Sequence, residues 1–174
     1  RSSFWMIAKN PAGLFLLVAF PAFLVLVLTV ESEQWGIPLL PRTGYLLTKH
    51  LTSPLTQAVG FRVVIPLLIV YFAGELVWRE RDAGLSENVD ATPVPEWVLF
   101  GGKLLGLSLV LVALMAMLTL AGMFVQAAAG FHDFQSGLYL KVLFGLQLPE
   151  YLLFAALALM VHVVVNQKYV GLLV

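Results

Sequence analysis

Residues 104–131, LLGLSLVLVALMAMLTLAGMFVQAAAGF, run for twenty-eight positions without a charged residue or a histidine. Coiled as a helix at ~1.5 Å per residue, such a run exceeds the ~30 Å thickness of a bilayer's hydrocarbon core. A soluble domain rarely has enough core to bury a stretch that is apolar on every side. The rest of the chain agrees, with 60% hydrophobic and 11% charged residues and a mean hydropathy of +0.93. The bilayer is therefore the expected solvent. In hydrocarbon every backbone polar group must be satisfied internally, and runs of this length favour helices over strands. The predicted fold is all-α, a polytopic membrane helix bundle.

Four spans are predicted, at about 11–30, 57–78, 102–128 and 149–166, with the start of a fifth at the end of the chain. Pro21 and Pro66 fall inside the first two, where a missing N–H is expected to kink a helix rather than end it. Gly106, Ala113, Ala116 and Gly122 punctuate the third span and would allow close helix contact. The segment 137–148, GLYLKVLFGLQL, either lies in the interface or lengthens the fourth helix, with Pro149 as a kink. The chain starts at Arg1 and closes on the opening residues of another apolar run, which reads as one incomplete transmembrane domain of a longer protein.

Several classes are set aside by composition. Ten basic and ten acidic residues give a formal net charge of zero, so no basic field invites nucleic acid. The absence of cysteine removes disulfides, thiolate metal sites and thiol catalysis. Gly101-Gly102-Lys103 lacks the first glycine of a phosphate-binding loop and the hydroxyl residue that should follow its lysine. No cofactor or metal is expected on this chain.

The polar segment 31–54 reads as a loop with a short interfacial helix, and the densest charge lies further on. Between 75 and 97 the chain reads ELVWRERDAGLSENVDATPVPEW, holding eight of its twenty charged residues. Glu75 and Arg79 are spaced i, i+4 with the acid first, a favourable helical order, so the second span is predicted to continue into water. Leu85 and Val89 repeat at i, i+4 after Gly84, giving about two turns with a narrow apolar stripe. Pro93 and Pro95 end it. The segment 79–97 is thus a hairpin carrying a short amphipathic helix, either a solvated loop or a docking knob for a soluble partner. Placing the N-terminus in the cytoplasm puts Arg1, Lys9, Arg79, Arg81, Lys103 and Lys168 inside. Arg42, Lys49, Arg62 and Lys141 then fall outside, and this balance makes the hairpin cytoplasmic.

The order of span, charged hairpin, Pro-containing turn and Gly-Lys before a long apolar span resembles membrane subunits of ABC-type transporters of the type-2 exporter class. The residues carrying the resemblance are Glu80, Arg81, Gly84, Leu85, Pro93, Gly102 and Lys103. It implies that 82–90 is a coupling helix touching a separate ABC ATPase, with Leu85 and Val89 as apolar anchors and Glu80, Arg81 and Glu87 as rim charges. ATP and magnesium are then expected on that partner, which works with a pair of membrane subunits, homodimeric or heterodimeric. The segment 137–171 is similar to a bacterial subgroup in which the membrane module is joined to a gluzincin-type aminopeptidase domain. Together these imply a multi-pass protein of the bacterial inner membrane, a permease rather than an enzyme. A non-transporting scaffold is one alternative. An intramembrane serine protease using Ser108 and His162 is another. Glu75 and His162 also form a candidate intramembrane polar site; the competing reading pairs Glu75 with Arg79 and uses His162 to bridge two helices.

Overall fold

The computed structural model describes residues 10–19, 21–23, 25–26, 43–45, 47, 61–82 and 95–165 of the 174. Every element among them is helical, and no strand occurs among the described residues. Six α-helical segments are labelled in chain order. α1 is Pro11–Leu14, α2 is Thr43–Tyr45, α3 is Phe61–Asp82 and α4 is Glu96–Ala128. α5 is Ser136–Tyr139, and α6 is Leu148–Val164.

α1 begins with proline, whose fixed φ and missing N–H suit a first helical turn, and Leu14 N donates to the Asn10 carbonyl at 2.9 Å. It continues as a π-helical stretch, Phe15–Ala19. The wider winding lies directly before Pro21, which has no N–H to close a regular α-turn.

α3 buries Ile65, Ile69, Phe72, Ala73 and Leu76, spacings that line one side of a 3.6-residue helix. Leu67 and Tyr71 lie exposed on the other side. Pro66 sits inside the helix without ending it, and the segment Val64–Trp78 is apolar.

α4 starts behind Pro95, whose φ of −65° and ψ of 141° are extended. Thirty-three residues later it closes in a Schellman arrangement. Gly130 adopts a φ of 76°, its N–H donates to the Ala127 carbonyl at 3.0 Å, and Phe131 N–H donates to the Gln126 carbonyl at 2.9 Å. A side chain at that φ would crowd its own backbone, which is why glycine stands there. Leu107, Val110, Leu111, Leu114, Met115, Leu118 and Val125 turn inward, while Leu105, Leu109, Leu120 and Phe124 turn outward. An element apolar on both sides is what a membrane helix requires.

After the turn the chain forms one continuous rod, Ser136–Val164. Its middle is π-helical over Leu140–Gln147. The segment 137–148 thus lengthens the last helix, and the irregular winding falls upstream of Pro149, which occupies the first turn of α6. Packing explains what the π stretch achieves. Tyr139, Leu143, Gln147, Tyr151, Ala155 and Leu159 are all buried, in steps of four. In an α-helix each such step overshoots a full turn by about 40°, so five would carry the face halfway round the rod. The wider π winding takes more residues per turn and keeps the first steps from accumulating that rotation. α6 ends where Val165 turns extended at ψ 117°.

Packing joins α6 to α3 and to α4, with the π-helical stretch Phe15–Ala19 against α4 and α2 against α5. Two stretches, Trp97–Ala128 and Ser136–Val164, are long and apolar enough to cross a membrane. Their lengths, roughly 50 and 43 Å at ~1.5 Å per residue, exceed the hydrocarbon thickness, so they tilt or emerge from it.

Candidate functional site

The hairpin singled out in the sequence meets the described structure only at its ends. Glu80 and Arg81 belong to the helical backbone of α3, which runs unbroken to Asp82. Gly84, Leu85, Glu87 and Val89 lie outside the described residues, as does the rest of the predicted coupling helix 82–90 after Asp82, which ends α3. On the far side Pro95 launches α4. Glu96 and Trp97 therefore belong to the helix and not to the turn.

Glu75 is half-buried on α3. His162 is fully buried on α6, and its Nε2 lies 3.2 Å from the Val70 carbonyl oxygen of α3. A carbonyl can only accept, so Nε2 carries the proton in this contact. Nδ1 is buried with no hydrogen-bond partner among the described residues. The structure thus uses His162 as a tie between α3 and α6. Its partner is a backbone group five positions before Glu75, and no hydrogen bond joins it to that carboxylate among the described residues.

Ser108 has a different commitment. Its hydroxyl donates to the Leu104 carbonyl one turn back, at 2.7 Å, the usual way a serine inside a membrane helix satisfies itself. Ser108 therefore engages a backbone carbonyl of its own helix and His162 one of α3, and neither is oriented by the other.

One buried polar chain among the described residues was not singled out from the sequence. Gln126 on α4 is fully buried and uses both ends of its amide. Its Nε2 donates to the Thr43 hydroxyl at 3.0 Å, and its Oε1 accepts from the Tyr139 hydroxyl at 3.0 Å. Thr43 is 2% exposed and Tyr139 0%, so three segments far apart in sequence share one dry polar chain. The notch that admits Tyr139 is Gly122, since a Cβ there would stand 2.7 Å from the tyrosine hydroxyl. Of the small residues noted on this helix, Gly106 and Gly122 are buried, Ala113 is half-buried and Ala116 is exposed. One signal was available, since Gln126 is the lone amide side chain in a charge-free run, and a buried amide needs partners.

These features define a bundle of apolar helices tied by a few interhelical polar contacts, the architecture of a multi-pass membrane protein. The model of the family described as ABC-2 family transporter protein matches residues 7–174, and the chain belongs to that family. It is accordingly a permease subunit of an ABC transporter, a membrane transport component that works with an ATPase subunit and is not itself catalytic. No curated protein and no solved structure matches the chain.

Proposed function

We propose that this chain is the membrane half of an ATP-driven exporter and receives its power stroke through the hairpin 79–97. The observation that carries the reading is the continuity of α3 through Glu80 and Arg81 to Asp82, matched by the restart of α4 directly behind Pro95. A segment held between two long helices can pass a push from a soluble partner into the membrane, because packed helices move as bodies rather than deform. Leu85 and Val89 supply the apolar anchor on the ATPase, with Gly84 beside them in the contact. Glu80, Arg81 and Glu87 set register at the rim.

ATP and magnesium belong to the ATPase subunit, which the chain cannot replace because Gly101-Gly102-Lys103 is not a phosphate loop. Two membrane subunits, identical or different, pair around the transport path. The bundle contributes four spans and the start of a fifth, with the N-terminus cytoplasmic in a bacterial inner membrane. The resemblance of 137–171 to the aminopeptidase-linked subgroup supports a parent chain carrying such a domain. Replacing Leu85 and Val89 together by Asp in the parent protein tests the docking. The ATPase is expected to be lost from the purified complex while the membrane protein stays folded in detergent; full retention of the ATPase would overturn the reading.

A further inference from the structure

Glu150 stands out on the outer side of the rod. It is exposed, in line with Leu146, Leu153, Leu157 and Met160, which are 70%, 75%, 58% and 60% exposed. Its level is set by the way the rod packs back on α4. The bond from Tyr139 to Gln126 and the seat of the Tyr139 ring against Gly122 place Tyr139 beside 122–126 of α4. Glu150 comes about eleven residues later, roughly 16 Å along the rod at ~1.5 Å per residue. On the antiparallel neighbour the same distance reaches the vicinity of Leu114, close to the middle of the charge-free run 104–131.

A carboxylate facing lipid at that level is strongly disfavoured, and ionisable groups inside membranes face protein or a water-filled path. The π-helical stretch ends at Gln147, three residues earlier. It rotates the downstream residues relative to a regular helix, so the winding that keeps Gln147 and Tyr151 inward also directs Glu150 outward. Such stretches concentrate at functional sites.

We infer that the outward face of α6 carrying Leu146, Glu150, Leu153 and Leu157 lines the water-accessible transport path, and that Glu150 recognises a cationic group on the cargo. Leucines one turn above and below the carboxylate fit a cargo that is itself part apolar, a cationic amphiphile. Were the second membrane subunit an identical copy, pairing side by side in the bilayer would bring a second carboxylate to the same depth, which would repel an anionic cargo and favour a cation between the two. Glu150 already takes part in a polar interaction within the chain, which the cargo would share or exchange.

The inference rests on the chain being a permease but not on the docking of the hairpin, and its test is independent of the ATPase. The 174 residues contain no cysteine, so one introduced at Leu153 or Leu157 is their only thiol. The parent protein in lipid nanodiscs is treated with a membrane-impermeant trimethylammonium methanethiosulfonate and, separately, with its sulfonate counterpart. Leu120→Cys, on the outward face of α4, sets the lipid-facing baseline. The expected result is labelling at Leu153→Cys above that baseline, with the cationic reagent favoured on the order of tenfold over its ratio on a free thiol. Glu150→Gln is expected to abolish that preference and keep the labelling. Labelling no faster than at Leu120→Cys would show that lipid or protein seals the face and would overturn the inference. A preference unchanged in Glu150→Gln would equally overturn it.

Discussion

The hydroxyl of Tyr139 occupies space that any side chain at Gly122 would need, 2.7 Å from the position of a Cβ, and that same hydroxyl is held by Gln126 one turn further along α4. A tyrosine buried this way cannot swing aside without losing its hydrogen bond to Gln126 and opening a gap between α4 and α5.

Gly122→Ala is therefore expected to destabilise the bundle by about 1–3 kcal/mol, the usual range for overpacking a well-filled contact. Thermal unfolding in detergent measures it. The loss should be smaller in a Tyr139→Phe background, where the atom nearest the new methyl is gone, so the two changes should be non-additive.

Gln126 reads out differently. Gln126→Leu keeps most of the volume but strips both the Thr43 hydroxyl and the Tyr139 hydroxyl of their partner. Membrane hydrogen bonds average about 0.6 kcal/mol, with a maximum near ~1.7. Losing two contacts at once should cost about 1–3 kcal/mol, seen as a lower unfolding midpoint. Tyr139→Phe alone should cost less, because Gln126 retains its contact to Thr43.

His162 ties α6 to the Val70 carbonyl, and its replacement separates a structural role from a proton-carrying one. His162→Leu should loosen the α3–α6 contact by about 1 kcal/mol. His162→Gln, which keeps a donor of similar reach, should recover most of that loss together with transport. Transport abolished in His162→Gln at unchanged stability would instead make the histidine part of the working site.

At the end of α4, Gly130→Ala forces a side chain into a φ of 76°. About 1–2 kcal/mol of strain is expected. Because the Schellman closure sets the angle at which the rod Ser136–Val164 returns, reduced packing of Tyr139 should accompany it. Intrinsic fluorescence does not isolate one tyrosine, so the readout is the unfolding midpoint of Gly130→Ala against Gly130→Asn, since asparagine is the side chain that best tolerates that conformation.

Much of the helical content was legible from local features. The charge-free run 104–131 lies largely within α4, although the helix starts at Glu96, ahead of the expected 102, and the continuation of α3 past Glu75 agrees with the i, i+4 acid–base spacing. The hairpin anchors Gly84, Leu85, Glu87 and Val89 rest on sequence and resemblance alone. Other features were hidden for a definite reason. α4 is apolar on every side, so no pattern of polarity tells which face meets α6 and which faces outward. The π winding of 140–147 likewise has no residue signature, because it arises from keeping Tyr139, Leu143 and Gln147 on the packed side.

What the sequence by itself determined is the class of this protein: runs too long and too apolar for water, interrupted by polar segments of which 75–97 is the most charged, with no phosphate-binding loop among its 174 residues. Hydropathy and capping are local properties, and they survive any arrangement of the helices. Only the tertiary structure decided that Gln126 meets residues 83 positions before it and 13 after it. It also decided that His162 is bonded to Val70 and that Glu150 faces outward from the rod. Those outcomes depend on which helix faces touch, and in a chain this uniformly apolar that is set by the fit of Tyr139 against Gly122 and by the few polar groups that must find partners.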